Sequence, residues 1–218
     1  MTWSEGERLR ILVCDDHALF RRAIVTSLED AGFDVVAEAG TGAEAVERAV
    51  EHAPDVVLMD LRMPEGTGAE ATAAIARVRP WSRILVLTVS DDLDEIAGAI
   101  CAGAVGHLRK EDAMAVLPET LLTVAEGGVR IGPSLARRIR HELGRLTDPF
   151  AAIANPGAWR PSDRQLRLVG ELAEGASLAE AAELAGVEPW AARTELRTAL
   201  EGLHRATRAG MVERPSNR

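Results

Sequence analysis

The stretch Asp55–Pro64, which reads DVVLMDLRMP, decides the fold of this chain. Its four apolar residues, Val56–Met59, run directly into the carboxylate of Asp60. A short unbroken apolar run is typical of a strand buried on both faces, as in a parallel sheet. Pro64, Gly66 and Gly68 then predict a loop. Asp60 is therefore expected at the C-terminal tip of a central strand, at the edge where open α/β sheets bind ligands.

On both sides of this stretch, apolar strands alternate with amphipathic helices. Strands are predicted at 9–14, 33–39, 55–60, 83–88 and 105–108, and helices at 18–31, 42–53, 68–78, 92–102 and 112–126. This alternation indicates an α/β fold with a doubly wound, five-stranded parallel sheet. Right-handed crossovers favour the flavodoxin-like strand order 2-1-3-4-5. Pro118 is expected in the first turn of the last helix, where its missing N–H does no harm.

Polar side chains stand at the tips of four of these strands. In the order 2-1-3-4-5 the first and third strands are neighbours, and their tips carry Asp15, Asp16 and Asp60. The tips of the fourth and fifth strands carry Thr88 and Lys110, the only lysine in the chain. Taken singly, these residues are more often helix caps, strand residues or solvated charges. Together, at one sheet edge, they predict a functional site.

The chemistry of this group favours phosphoryl transfer. Three carboxylates at one edge repel each other, and a hard divalent cation such as Mg²⁺ relieves that repulsion. Asp60 is then placed as a nucleophile that forms an aspartyl-phosphate. Lys110 and Thr88 are expected to hold further phosphate oxygens. No general acid is visible, which argues against an aspartyl-phosphate hydrolase, and the chain is not expected to be an enzyme.

Four motifs, VCDDH (13–17), VVLMDLRMP (56–64), VLTVS (86–90) and GHLRK (106–110), resemble the receiver domain of bacterial two-component response regulators. The resemblance implies a receiver domain over residues 1–133 and a sensor histidine kinase as the phosphodonor of Asp60. It also implies that Mg²⁺ is held by Asp16, Asp60, the backbone carbonyl of Arg62 and, through water, Asp15. Thr88 would be the switch hydroxyl. His107 stands where the family usually has the Tyr or Phe of the switch.

The rest of the chain predicts a small all-α domain. Residues 134–146 carry leucine and isoleucine at helical spacing and predict an amphipathic tether helix, followed by a linker to residue 160. A helix at 162–174, a short helix at 178–185, a turn at Gly186 and a longer helix from Pro189 have the layout of a helix-turn-helix. The effector domain is therefore predicted at 161–218.

Two motifs in this region, LAEGAS (172–177) and ELAGVEP (183–189), resemble the LuxR-type DNA-binding domain of the NarL/FixJ response regulators. The resemblance implies that Arg193, Thr194 and Arg197 contact bases. Glu195 replaces a histidine that the family places near a phosphate, where a carboxylate is expected to repel. His204 replaces the glycine usual after the recognition helix, so that helix is expected to run on.

Composition sets limits on the functional classes. The net charge is −9, and the acidic excess lies in the first 133 residues, so composition alone does not announce nucleic-acid binding. The two cysteines have no paired spacing and no apolar run is long enough to span a membrane, which predicts a cytoplasmic protein that does not contact the membrane.

These observations predict a response regulator whose phosphorylation controls homodimerisation and binding to promoter DNA. The alternative left open by the sequence keeps the receiver as a switch but has a degenerate effector domain that acts through protein–protein contacts.

Overall fold

The computed structural model describes residues 8–90, 92–147 and 158–209. Its strands are β1 Arg10–Cys14, β2 Asp34–Ala39, β3 Val56–Asp60, β4 Arg83–Thr88, β5 Gly106–Arg109 and β6 Arg130–Ile131. Its helices are α1 Ala18–Asp30, α2 Gly42–His52, α3 Gly68–Val78, α4 Leu93–Ala102, α5 Lys110–Ala125, α6 Pro133–Leu146, α7 Asp163–Ala173, α8 Leu178–Ala185 and α9 Pro189–Arg208. They divide into two compact units, the first built from residues 8–90 and 102–130 and the second from 92–101, 131–147 and 158–209.

The first unit contains the predicted flavodoxin-like sheet. Its strand order is β2-β1-β3-β4-β5-β6, and the pairs from β2 to β5 are all parallel. The doubly wound fold and the order of the first five strands are confirmed, whereas the predicted number of five strands is wrong. The sixth strand, β6, has two residues, and so short a segment shows no periodicity in the sequence.

Two apolar clusters, one on each face of the sheet, hold the strand tips in place. One combines β1, β3 and β4 with helices α1 and α5, and the other combines β1 and β3 with α2 and α3. All five residues of β3 are buried, as the unbroken apolar run predicts. The C-terminal end of β3 therefore presents Asp60 from a strand that is packed on both sides.

The position of Pro118 in α5 was predicted wrongly. The helix begins at Lys110 rather than at 112, and Pro118 lies inside it, well past the first turn. Proline inside a helix lacks the N–H that would bond to the carbonyl four residues earlier. The helix nevertheless continues, because its buried residues, among them Leu117, Leu121 and Val124, belong to the core against the sheet.

The second unit contains the predicted helix-turn-helix. Helix α7 begins with a capping box between Ser162 and Gln165, and α8 begins with one between Ser177 and Glu180. Gly186 ends α8 at a φ of 65°, in the left-handed region that glycine adopts readily. Helix α9 then runs to Arg208, so the prediction that it continues past His204 is confirmed.

Helix α6, the predicted tether, packs against α7. Its leucine and isoleucine residues are buried at the predicted spacing, Leu135, Ile139, Leu143 and Leu146. Arg137 also donates a hydrogen bond from Nη1 to the carbonyl of Ala173, at the end of α7 (3.1 Å). Most of the predicted linker, residues 148–157, lies outside the described residues.

Just after that segment, the indole of Trp159 packs against α9 at Gly202. A side chain at Gly202 would overlap the indole ring, so glycine is required there for this contact. No helix in the described part of the chain is both long and apolar enough to cross a membrane.

Candidate functional site

The three predicted carboxylates meet at the C-terminal edge of the sheet. Asp15 follows β1 and is 2% exposed, and its backbone N–H donates to the carbonyl of Ala39 in β2 (3.0 Å). Asp60 is the last residue of β3 and is 4% exposed, whereas Asp16 is exposed. One carboxylate oxygen from each residue lies within 4.8 Å of the others. The structure therefore brings together the acidic group that the strand order predicts.

Lys110 places its ammonium between two of these carboxylates. Its Nζ lies 2.6 Å from Oδ2 of Asp15 and 2.7 Å from Oδ2 of Asp60. The ammonium also lies 5.0 Å from the centre of the Phe20 ring, within the range of a cation–π contact. The Lys110 side chain is only 12% exposed, so this pairing is much less screened by water than a surface ion pair.

Burial and charge shift the pKa of both partners. Burial raises the pKa of Asp60, and this effect outweighs the lowering effect of the hydrogen bond and charge of Lys110. For Lys110, burial lowers the pKa, but the hydrogen bonds to Asp15 and Asp60 outweigh burial and leave the pKa raised. Lys110 is therefore a cation throughout the neutral range, and the Asp60 carboxylate is less acidic than an exposed one.

A series of hydrogen bonds joins the loop after β3 to the tip of β4. The backbone N–H of Arg62 donates to Oδ1 of Asp60 (3.3 Å), and the Arg62 side chain donates from Nη2 to Oγ of Ser90 (3.0 Å). The N–H of Ser90 in turn donates to Oγ1 of Thr88 (2.9 Å), which is fully buried. Sequence reasoning gave Arg62 only a backbone role and gave Ser90 none, although Ser90 lies within the quoted VLTVS motif.

His107 lies inside the sheet rather than at its edge. It is buried (5% exposed) in β5, where its backbone pairs with that of Val86 in β4. The structure thus places the residue that replaces the family's aromatic side chain in the strand next to the one that carries Thr88. Its predicted role as a switch residue stays a prediction.

Gly68, which sequence reasoning placed in the predicted loop and at the start of the following helix, also has a contact that the sequence did not reveal. It begins α3, and a Cβ on it would overlap the backbone of Asp60 and Leu61. Its N–H donates to the carbonyl of Leu61 (3.0 Å), which closes the loop between β3 and α3. Only glycine permits this close approach, and the loop carries the backbone of Arg62, the predicted metal-binding carbonyl.

The predicted DNA-contacting residues lie on one side of α9. Thr194 and Arg197 are exposed, and Arg193 is partly buried. Arg197 forms an exposed ion pair with Glu201, one turn further on (3.4 Å). The opposite side of the helix is buried and includes Ala192, Leu196, Ala199 and Leu203. The three predicted residues therefore lie on the side of α9 that faces away from these buried residues.

Glu195 has a partner that the sequence did not reveal. The buried side chain of Gln165, 6% exposed, donates from Nε2 to Oε2 of Glu195 (3.0 Å). The Oε1 atom of Gln165 accepts a hydrogen bond from the N–H of Ser162 (2.9 Å). Gln165 therefore joins the cap of α7 to α9, and Glu195 contributes to the packing of the helix-turn-helix in addition to its charge.

Comparison with known proteins gives consistent matches for both parts of the chain. Residues 11–122 match the family model described as the response regulator receiver domain. A probable transcriptional regulatory protein NarL of Mycobacterium tuberculosis is 31% identical over 97% of this chain and 95% of its own length. The nitrate/nitrite response regulator protein NarP of Escherichia coli is 32% identical over 92% of this chain and 91% of its own length.

Solved structures match the first part of the chain. The receiver domain of the putative response regulator NarL from M. tuberculosis superimposes with a TM-score of 0.53 at 37% identity, covering 56% of this chain and 99% of that one. A LuxR-family two-component response regulator from Aurantimonas gives a TM-score of 0.59 at 33% identity, covering 62% of this chain and 98% of that one. The chain is therefore similar to named regulators along almost its whole length, and to the solved structures over its first part.

Proposed function

Because this chain belongs to the NarL-type response regulators, which carry a receiver domain, we propose that phosphorylation of Asp60 controls DNA binding by its C-terminal helices. The observation that carries the proposal is the arrangement of Asp15, Asp16, Asp60 and Lys110 at one sheet edge. One relative that matches almost the whole chain is named a probable transcriptional regulatory protein, and another is named a nitrate/nitrite response regulator protein, which supports a regulatory rather than an enzymatic function.

Asp60 is the phosphoacceptor in this proposal. Its Oδ2 atom contacts the ammonium of Lys110 and its Oδ1 atom accepts from Arg62, so the carboxylate is held in one orientation by both oxygens. A fixed carboxylate oxygen attacks the phosphorus of a phosphohistidine on a sensor histidine kinase, the P–N bond breaks, and the imidazole leaves and takes up a proton from water. With a small phosphodonor, the bond from phosphorus to the donor's leaving group breaks in the same way, and the phosphoryl group is then bonded to Asp60. Lys110 and Thr88 then bind oxygens of the phosphoryl group.

The acidic group fits Mg²⁺. Its oxygen atoms are close enough for one ion, and carboxylates with water are the ligands that Mg²⁺ prefers. Asp15, Asp16, Asp60 and the carbonyl of Arg62 would hold it. When bound, the ion offsets the negative charge of the phosphoryl group during transfer. Gly68 supports this arrangement, because it keeps the loop that carries Arg62 close to Asp60.

Thr88 and His107 are the proposed switch residues, and a homodimer on promoter DNA is the proposed active form. Thr88 already accepts a hydrogen bond from the backbone N–H of Ser90, and the hydroxyl of Ser90 accepts a hydrogen bond from the Arg62 side chain. A phosphoryl group that draws the Thr88 hydroxyl toward Asp60 therefore disturbs the loop that follows β4. Dimerisation raises the effective concentration of the second helix-turn-helix at the DNA and compensates for weak binding by one copy.

Arg193, Thr194 and Arg197 are the proposed DNA-contacting residues. They lie on the solvent side of the second helix of a helix-turn-helix, the face that enters the major groove in such domains. The same helix carries acidic residues beside these arginines, so each copy of the protein is expected to neutralise few DNA phosphates. The affinity for DNA is therefore expected to fall only slowly as the salt concentration rises.

Mass spectrometry tests the phosphorylation. The wild-type chain and Asp60→Asn are incubated with a small phosphodonor, with Mg²⁺ or with excess chelator. One added phosphoryl group is expected on the wild type in Mg²⁺, and none on Asp60→Asn or in chelator. Equal labelling of the variant refutes Asp60 as the acceptor.

Selection of genomic fragments by the phosphorylated and unphosphorylated chain tests the DNA binding. Phosphorylation is expected to enrich specific fragments, and Arg193→Ala or Arg197→Ala to weaken their binding by about 1–3 kcal/mol if the arginine reads a guanine. The absence of any enriched fragment favours the alternative, an effector domain that acts through protein contacts.

A further inference from the structure

The first turn of α9 carries a tryptophan that neither the site nor the fold explains. Trp190 is the second residue of the helix and its side chain is 82% exposed. Single exposed apolar residues are common on protein surfaces, so exposure alone carries no conclusion. The position of Trp190 is more informative, because it lies three, four and seven residues before Arg193, Thr194 and Arg197 and shares their face of the helix.

We propose that Trp190 reads thymine, by packing its indole against the C5-methyl group in the major groove. This inference rests on the proposed DNA binding. In a helix-turn-helix, residues near the N-terminus of the second helix reach the base edges, and Trp190 is at that end. The thymine methyl is the apolar group that the major groove presents, and apolar side chains are its usual partners.

Positive charges accompany Trp190 on the same face of α9. Arg193 and Arg197 follow on the same face, and the start of a helix carries a partial positive charge that attracts phosphates. Glu188, exposed at the N-cap, reduces that attraction at this end of the helix. Because Glu188 weakens the attraction of phosphate to the start of α9, the contact between the uncharged indole and a base contributes a larger share of the recognition at this end of the helix.

The chain offers a matched control in Trp81. It lies between α3 and β4 in the other unit, and its side chain is 85% exposed, close to the value for Trp190. Replacing Trp81 removes the same amount of exposed indole without touching the helix-turn-helix. Any general effect of losing a surface tryptophan appears in both variants, and an effect on base reading appears only in the Trp190 variants.

The test uses the full chain, phosphorylated with a small phosphodonor, and the fragment that it binds best. Each thymine of the site is replaced in turn by uracil, which lacks only the methyl group. Burial of one methyl is worth about 0.8 kcal/mol, so the wild type is expected to lose about fourfold in affinity at the contacted thymine. Trp190→Ala is expected to bind the thymine-containing fragment more weakly than the wild type does. It is also expected to bind the thymine and uracil forms of the fragment with equal affinity.

Two further variants complete the test. Trp81→Ala is expected to keep the wild-type affinity and the full difference between thymine and uracil. Trp190→Phe, which keeps an apolar ring, is expected to retain part of that difference. A Trp190→Ala variant that binds as the wild type does, or that still distinguishes thymine from uracil, overturns this inference and leaves DNA binding intact. A wild type that enriches no fragment overturns the proposed DNA binding and this inference with it.

Discussion

Replacing Lys110 by methionine removes the ammonium that bridges two buried carboxylates. Methionine keeps most of the length of the side chain, so the change is mainly one of charge. In the structure the ammonium lies 2.6 Å from Asp15 and 2.7 Å from Asp60, whose side chains are 2% and 5% exposed. Removing one partner of a buried ion pair typically costs about 3–5 kcal/mol, and here the carboxylates can protonate or bind a cation instead. We therefore expect a loss near the lower end, about 3 kcal/mol of unfolding free energy in chelator at neutral pH.

This loss should depend on pH with a definite sign. Because the pKa of Lys110 is raised, its own charge is fully present below the ordinary lysine pKa, so any change in its stabilising effect between neutral and acid pH comes from the carboxylates that it faces. In the variant, burial acts on Asp60 without the opposing charge, so its pKa rises further above the ordinary value. As the pH falls through that raised pKa, Asp60 becomes neutral and the penalty shrinks. The difference in unfolding free energy between the wild type and Lys110→Met should therefore become smaller at acid pH.

Urea unfolding, followed by circular dichroism with excess chelator or with millimolar Mg²⁺, measures these effects. Mg²⁺ should restore much of the lost stability, because a bound cation stabilises the folded state through linkage. Arg48→Met breaks an exposed pair with Glu51 (2.9 Å) and should change stability by less than about 1 kcal/mol. Equal stability of wild type and Lys110→Met in chelator would refute the reasoning.

Two further predictions concern the second unit, both measured by urea unfolding. Gly202→Ala drives a Cβ into the indole of Trp159 and should cost about 1–3 kcal/mol before the gain in helix propensity is counted. At Gly170 an added Cβ would meet only Cδ of Arg140, at 3.9 Å, so Gly170→Ala should stabilise by up to about 1 kcal/mol, and equal effects of the two changes would contradict this account. Glu195→Ala leaves the buried Gln165 amide without its acceptor and should lower the free energy of unfolding by about 1–3 kcal/mol. Glu195→Gln retains an acceptor oxygen and should lower it by less. Equal losses in the two variants would rule out the hydrogen bond as the cause.

The sequence predicted well both the sheet and which side chains meet at its edge, because both depend on local patterns. The run Val56–Met59 is apolar without a break, and a strand buried on both faces demands that pattern. Once strand order follows from the crossover rule, the neighbours of Asp60 follow too. By contrast, β6 was missed because two residues carry no pattern, and Pro118 was misplaced because tertiary packing keeps α5 helical around it.

The remaining errors concern contacts between residues that are far apart in the sequence. The bond between Gln165 and Glu195 joins side chains thirty residues apart, and neither position alone indicates it. The sequence suggested only that the Glu195 carboxylate repels phosphate, and therefore that histidine at this position tightens DNA binding. In the structure Glu195 also has a packing function, so Glu195→Gln, which removes the charge and keeps an acceptor, is the better test of repulsion.

The packing of α6 against α7 determines where the chain can be cut. Residues 147 and 158 are the ends of a connection that begins and finishes in the same unit. A fragment starting at residue 156 or 161 therefore discards α6 and exposes the apolar side of α7 that Leu135, Ile139 and Leu143 cover. A fragment starting at Gly132, which caps α6, keeps that surface covered. Inserting glycine and serine between residues 147 and 158 lengthens a connection whose two ends lie in one unit, and doubling the length of a flexible connection costs only about 0.6 kcal/mol.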